Sequence, residues 1–230
     1  MEKRVTHANK ALCAALAMVL SLVMLSGGTW AQGHQGHNHG PGGHDLKEVP
    51  VEELNKAGPL PEISIGKSNA KITIIEYASM SCGHCGFFHR EILPKLKSKY
   101  IDTGIARFVV REFPLNYTAI AVSMLARCAG NDKTYGVIAA MFDRQQQWLR
   151  RGDVRDDLRG IMSEFGMTEE TFKQCFANKA LFHQIKEVRQ RAIAAFGVRS
   201  TPTFFINGKP LVGPRSIDKF DEIIQPMLKE

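Results

Sequence analysis

The four residues Cys82-Gly83-His84-Cys85 are the part of this 230-residue chain best suited to chemistry. Two cysteines at this spacing can be half of a zinc site, a redox pair or a structural disulfide. A structural zinc site normally adds a second Cys/His pair at similar spacing, whereas Cys128 and Cys175 each stand alone. Placement favours redox chemistry. The pair follows an apolar, β-branched run, Ile72 to Tyr77, and opens a helical pattern in which Phe87, Phe88, Ile92, Leu93 and Leu96 recur every three or four residues. At the first turn of a helix, unpaired backbone N–H groups and the helix dipole stabilise a Cys82 thiolate. Cys85, one turn inward, is expected to be more buried and to stay a thiol until needed. The first sulfur then attacks or releases a partner's disulfide and the second resolves the mixed intermediate. The imidazole of His84 favours the thiolate further, which makes the disulfide more oxidising. His89, a turn further on, reads as a surface residue.

The elements around this motif begin with a leader. Lys3, Arg4 and Lys10 precede an uncharged, largely apolar stretch from Ala11 to Leu25; Ser26, Gly27 and Gly28 break it, and Thr29-Trp30-Ala31 supplies small residues where a signal peptidase reads. Residues 1–31 are therefore expected to be a signal peptide cleaved after Ala31, which places the mature chain in the periplasm or outside the cell. The apolar run is shorter than the roughly 20 residues of a spanning helix. Cys13 lies in the leader and is not a lipid-attachment cysteine, so four cysteines remain, an even number that permits full pairing in an oxidising compartment. Loss of the leader's three bases and one acid takes the net charge from +7 to +5. The basic run Lys186 to Arg191 has helical spacing and reads as a solvated face, so no nucleic-acid partner is expected.

Residues 32–61 read as a flexible tether rich in Gly and His plus a short linker. Within it His34, His37, His39 and His44 are weak metal-ligand candidates, with a solvated linker as the main reading. A short helix through Val51 and Leu54 ends at Gly58-Pro59-Leu60-Pro61. The folded body is expected from Glu62. Ile63 and Ile65 suggest an edge strand, and Ile105 to Phe113 a second strong strand after the CxxC helix. Residues 117–197 are helical throughout: Ile120, Met124, Leu125 and Cys128 share a face, as do Ile138, Met141, Phe142 and Trp148 or Leu149, then Leu158, Ile161, Met162 and Phe165, and finally Leu181, Ile185, Val188 and Ala192. Thr168 can cap one of these helices and Gly197 closes the last. A strand from Thr203 to Ile206 turns at Asn207-Gly208, a strong hairpin signal, and a helix from Ile217 to Leu228 ends the chain. The fold class is α/β: a sheet interrupted by about 80 helical residues.

Two stretches carry a resemblance. Glu76-Tyr77-Ala78-Ser79-Met80-Ser81-Cys82-Gly83-His84-Cys85, together with Thr201-Pro202-Thr203-Phe204-Phe205-Ile206-Asn207-Gly208, resembles the DsbA-like branch of the thioredoxin superfamily, and within it the bacterial periplasmic proteins that have a second cysteine pair. The resemblance spans roughly residues 60 to 228. It implies a thioredoxin-like fold in two parts, 62–116 and 198–230, with an all-helical insertion, 117–197, between its central strands. It implies that Cys82 is the nucleophile, that Cys85 resolves, that Pro202 is a cis-proline beside the pair, and that Thr201 meets the substrate backbone. Glu76 matches a buried acid that assists proton transfer to the resolving thiol, the alternative being a solvent-facing strand residue. With the even cysteine count, the resemblance also suggests a structural disulfide between Cys128 and Cys175, the alternative being two small buried thiols.

The activity so implied is protein thiol–disulfide exchange, with no cofactor beyond the redox-active disulfide. Its partners would be cysteine-containing exported proteins and a membrane quinone-linked thiol oxidase of DsbB type. Gly-His between the cysteines and Thr before the proline also occur among isomerases. Net isomerisation or reduction, fed by a membrane reductant, is therefore the alternative direction. A metal carrier built on the His-rich tether is the reading from another class.

Overall fold

A computed structural model describes residues 46–150, 154–214 and 216–229. The leader, the Gly/His tether and its four histidines lie outside the described residues. Among the described residues five strands form one mixed sheet in the order β1-β3-β2-β4-β5, where β1 is Ile63–Ile65, β2 Ile72–Ala78, β3 Ala106–Glu112, β4 Thr203–Ile206 and β5 Lys209–Val212. Only the β2–β3 pair is parallel; β1, β4 and β5 run antiparallel to their neighbours. Side chains alternate across a strand, so β2 sends Ile72, Ile74 and Ala78 to one face and Ile75 and Tyr77 to the other.

The larger core covers the first face. It gathers Ile74, Phe108 and Phe204 with Cys85, Phe88, Ile92 and Leu96 of the CxxC helix, with Leu125, Phe142 and Trp148 of the helical insertion, and with Phe220 and Ile224 of the last helix. The second face packs Tyr77, Val109 and Phe205 against Ala192 and Phe196 of one long helix and against Val49 and Leu54. Those last two residues precede the expected start of the body at residue 62. The segment is held because its carbonyls are capped by side chains of the body: Leu54 by Arg111 at 2.7 Å, Ala57 by Arg191 at 2.9 Å, Pro59 by Gln184 at 3.2 Å and Pro61 by Arg127 at 2.6 Å. The short helix α1, Val51–Asn55, lies in this strap.

After the redox motif the chain runs through α2, Gly83–Phe87, and α3, Leu93–Leu96, with wider, five-residue-bonded turns at Phe88–Ile92 and Lys97–Ile101. Pro94 explains the first widening. It has no N–H to give to Arg90, and its ring would collide with that carbonyl in a regular helix, so the turn loosens. Among the described residues, the insertion between β3 and β4 holds six helices: α4 Tyr117–Cys128, α5 Asn131–Asp143, α6 Gln145–Trp148, α7 Val154–Glu164, α8 Glu169–Ala177 and α9 Lys179–Phe196. Asn116, Thr168 and Asn178 cap α4, α8 and α9 by accepting backbone N–H groups, and Gly197 ends α9 in the left-handed region at φ 70°. Trp148, rather than Leu149, is the buried member of its pair, its Nε1 donating to the Met141 carbonyl at 2.8 Å. Cys128 at the end of α4 is bonded to Cys175 in α8, with an S–S distance of 2.14 Å and Cα atoms 6.0 Å apart.

The β4–β5 hairpin turns on Asn207 and Gly208, both at positive φ (43° and 92°), the combination that suits a tight hairpin with right-handed strand twist. Here glycine is also demanded by a neighbour: a Cβ on Gly208 would lie 2.3 Å from the Val49 carbonyl oxygen. The helix α10, Asp218–Lys229, completes the fold.

Candidate redox site

Strand β2 delivers the chain to Ala78, and a tight loop turns it into α2. The Cys82 N–H donates to the Ser79 carbonyl at 3.0 Å, and the Ser79 hydroxyl accepts the Leu115 N–H at 3.2 Å, tying the loop to the end of β3. Cys82 is the N-cap residue of α2, in extended conformation (φ −85°, ψ 119°). Its own carbonyl accepts the Gly86 N–H at 3.1 Å. Its sulfur therefore stands at the open end of the helix, where N–H groups point outward and negative charge is favoured.

The opposite wall comes from 119 residues away. The Thr201–Pro202 peptide bond is cis, and the Thr201 carbonyl lies 3.3 Å from Cys82 Sγ. This approach follows from the antiparallel pairing of β4 with β2, in which Thr203 is opposite Tyr77. Thr203 Oγ1 donates to Ser200 at 2.7 Å, and the Gly213 N–H binds the Pro202 carbonyl at 3.0 Å, so the loop is fixed from both sides.

Both cysteines are free thiols, Cys82 partly exposed and Cys85 fully buried. The hydrogen bond from the Cys85 thiol is the largest influence on Cys82. With further help from Thr201 and from the backbone N–H groups of Cys85 and His84, it holds Cys82 down to about 5, against burial, which acts the other way. Burial pushes the Cys85 thiol well up, and the hydrogen bond to Cys82 and the charge of Glu76 add to this. At neutral pH the site is thus a thiolate beside a thiol. The His84 side chain is exposed, and its backbone N–H adds a smaller part to the support of the sulfur.

Glu76 is fully buried, on the same face of β2 as Ile74 and Ala78. Its Oε2 is 2.8 Å from Nε2 of His89, and its Oε1 has no hydrogen-bond partner. His89 is therefore not a surface residue. Its side chain is only 3% exposed and stacks on Phe142, ring centres 4.0 Å apart. The sequence did hold the signal. Counted from Cys85, positions 88, 89, 92, 93 and 96 form the inward stripe, and all five are buried, whereas Phe87 is off the stripe and exposed. Burial and the Glu76 charge also push the nearby Tyr135 phenol up to about 12.

Gln145, at the start of α6, gave no sequence signal. Its Nε2 donates to the Met80 carbonyl at 2.7 Å and to the Cys82 carbonyl at 2.9 Å, so the insertion grips the redox loop directly. Its Oε1 fills the space beside Gly86, where a Cβ would come within 2.2 Å. A side chain at position 86 and Gln145 in its present place exclude each other.

A CxxC at a helix start, facing a cis-proline loop across a mixed sheet, defines a thioredoxin-like fold with a dithiol at its active end. A model of the family described as thioredoxin matches residues 60–226, and the chain belongs to that family. Crystal structures of α-DsbA1 from Wolbachia pipientis are similar to this chain. One of them has 30% sequence identity and a TM-score of 0.70, covering 79% of this chain and 96% of the other. Oxidised BdbD from Bacillus subtilis shares the fold at 17% identity and a TM-score of 0.67, covering 80% and 98%. Among curated sequences, a Rickettsia conorii protein named "Putative protein-disulfide oxidoreductase" is 30% identical over 170 residues, 74% of this chain and 61% of its own length. The chain thus spans about three fifths of the length of the curated relatives it matches.

Proposed function

We propose that this chain is a protein thiol–disulfide oxidoreductase of DsbA type that donates the Cys82–Cys85 disulfide to exported proteins. The observation that carries this reading is the Cys82 sulfur, held down to about 5 at a helix start beside the cis-Pro202 loop. Stabilising the thiolate stabilises the reduced protein, and that makes its disulfide a better oxidant. In the reaction a client thiolate attacks Cys82 Sγ and the electron pair of the broken S–S bond goes to Cys85. Glu76 supplies the proton that Cys85 takes up. A second client thiolate then attacks the client sulfur of the mixed disulfide and Cys82 leaves as a thiolate. The client is oxidised and the chain reduced. Thr201 and Pro202 line the place where an extended client segment would lie, and His84 supports the thiolate. Cys128–Cys175 braces the helical insertion.

The leader reading supports work in the periplasm, on newly exported cysteine-containing proteins, with reoxidation by a quinone-linked membrane thiol oxidase of DsbB type. The test is the redox equilibrium of the mature protein against glutathione, followed by oxidation of a reduced, unfolded client. A potential near or above about −180 mV with client oxidation is expected, and one near about −270 mV would assign the chain to net reduction instead. Cys82→Ser should abolish turnover and Cys85→Ser should accumulate mixed disulfides. Clients oxidised equally well by Cys82→Ser would refute the reading.

A further inference from the structure

Two ionisable side chains, Glu76 and His89, face each other in a core otherwise built of Phe88, Phe108, Phe142 and Phe204. Their side chains are 0% and 3% exposed. Replacing a buried pair of this kind by apolar residues of similar volume is often neutral or stabilising, so packing alone does not account for them. Nor is the carboxylate fully satisfied: His89 holds Oε2 at 2.8 Å, and Oε1 is buried without a partner. The strand alternation puts Glu76 on the face where Cys85 packs, and its charge acts on the Cys85 thiol. On the other side, His89 lines a surface cavity together with Arg90, Glu91 and Lys97 of its own helical stretch and with Tyr135 and Asp143 of α5. His89 thus belongs to the lining of a surface cavity and is hydrogen-bonded to a buried acid whose charge acts on the resolving sulfur.

We propose that His89 is a positioning and relay residue: it orients Glu76 and passes protons between the cavity and Glu76 as Cys85 gains or loses one. An imidazole suits this place because it can accept a proton on one nitrogen while giving one up from the other. In the oxidising direction the Cys82–Cys85 bond breaks and its electron pair stays on Cys85 Sγ. The Glu76 carboxyl gives that sulfur a proton, His89 returns one to Glu76 from its Nε2, and the ring regains a proton at the cavity side. The proton comes from the water into which the client thiol released its own. In the reverse direction each transfer runs backwards. Glu76, Arg90, Glu91, Lys97, Tyr135 and Asp143 are the ionisable groups that surround this route, from β2, the CxxC helix and α5. His89 acts through Glu76 and touches neither sulfur nor client.

This inference rests on the exchange activity proposed above, and one experiment separates the two. The oxidised full-length mature protein is mixed with a cysteine peptide in a stopped-flow instrument from pH 5 to 8, for wild type, His89→Phe and His89→Ala. His89→Phe keeps an aromatic ring against Phe142 and removes the hydrogen bond to Glu76 together with the proton carrier; it should slow reduction of the Cys82–Cys85 bond by about 100-fold, the lower end of general acid–base effects. Its Cys82 thiolate titration, read at 240 nm in the reduced protein, should stay at the wild-type midpoint. Added imidazole should enter the cavity of His89→Ala and restore rate in proportion to its concentration. A wild type that fails to react would remove the proposed function itself. A reactive wild type with His89→Phe within twofold of it would overturn the relay. So would slow variants that imidazole does not rescue and whose Cys82 midpoint has moved, since that pattern belongs to a merely structural residue.

Discussion

Acidification of the reduced protein should remove a defined part of its stability, and Cys82 sets the size of that part. Its folded value is depressed from 9.0 to about 5, chiefly by the Cys85 hydrogen bond. A depressed acid stabilises the fold fully above its unfolded value, and the contribution is lost as pH falls through the folded value. The window therefore runs from about pH 9, where the contribution is complete, to about pH 5, where it is nearly gone. At pH 7 half of the shift is realised, about 2.7 kcal/mol at 1.36 kcal/mol per unit. Cys82 is partly exposed, and screening by water reduces this to about 1.5 kcal/mol. The same energy, converted at about 30 mV per 1.4 kcal/mol, makes the disulfide more oxidising by some 30 mV at that pH. The assay is denaturant unfolding of the reduced protein and of Cys82→Ser at pH 8, 7, 6 and 5, with thiolate absorbance at 240 nm as an independent titration. The stability of wild type relative to Cys82→Ser should fall by roughly 1.5 kcal/mol between pH 7 and the acid end of the window, and the absorbance midpoint should lie near 5. Curves that keep a constant separation, or an absorbance midpoint above 7, would refute the reasoning.

Replacing Gln145 by Leu strips a donor from the buried Met80 carbonyl and should lower stability by about 1–3 kcal/mol while raising the Cys82 midpoint, as the N-cap backbone loosens; unchanged thiolate titration would deny Gln145 its hold on the motif. Gly86→Ala in an ordinary helix would gain about 1 kcal/mol, but here it should destabilise, because its Cβ meets Gln145 Oε1. In a Gln145→Ala background the same change should become neutral or favourable, and additive costs in the double mutant would disprove the clash. Converting both Cys128 and Cys175 to Ala opens a loop of 47 positions, which the chain-entropy model values at about 4 kcal/mol; guanidinium unfolding of the two proteins measures it. Arg111→Met leaves the Leu54 carbonyl and the Tyr77 hydroxyl without their donor and should cost about 3 kcal/mol, read by the same unfolding assay, with the strap at 49–61 released first to proteolysis.

What the sequence determined by itself is local. Apolar runs of β-branched residues mark β2 and β3, Asn207-Gly208 marks the hairpin, and Thr168 and Gly197 mark helix ends, because each depends on residues a few positions apart. The cysteine spacing and its position at a helix start are legible for the same reason. Tertiary structure decided which distant groups meet these elements. Thr201 reaches Cys82 only through the β2–β4 pairing, Gln145 reaches Met80 and Cys82 only because the insertion folds back over the motif, and the strap at residues 49–61 is held by arginines up to 138 positions away. His89 lies between the two cases: its place on the inward stripe was countable, but a polar residue there is unfavourable until a buried partner is present, and Glu76 is brought to it only by packing the helix on the sheet. Periodicity reports which way a side chain points; what it finds there depends on long-range packing, and that is where the chemistry of this site is set.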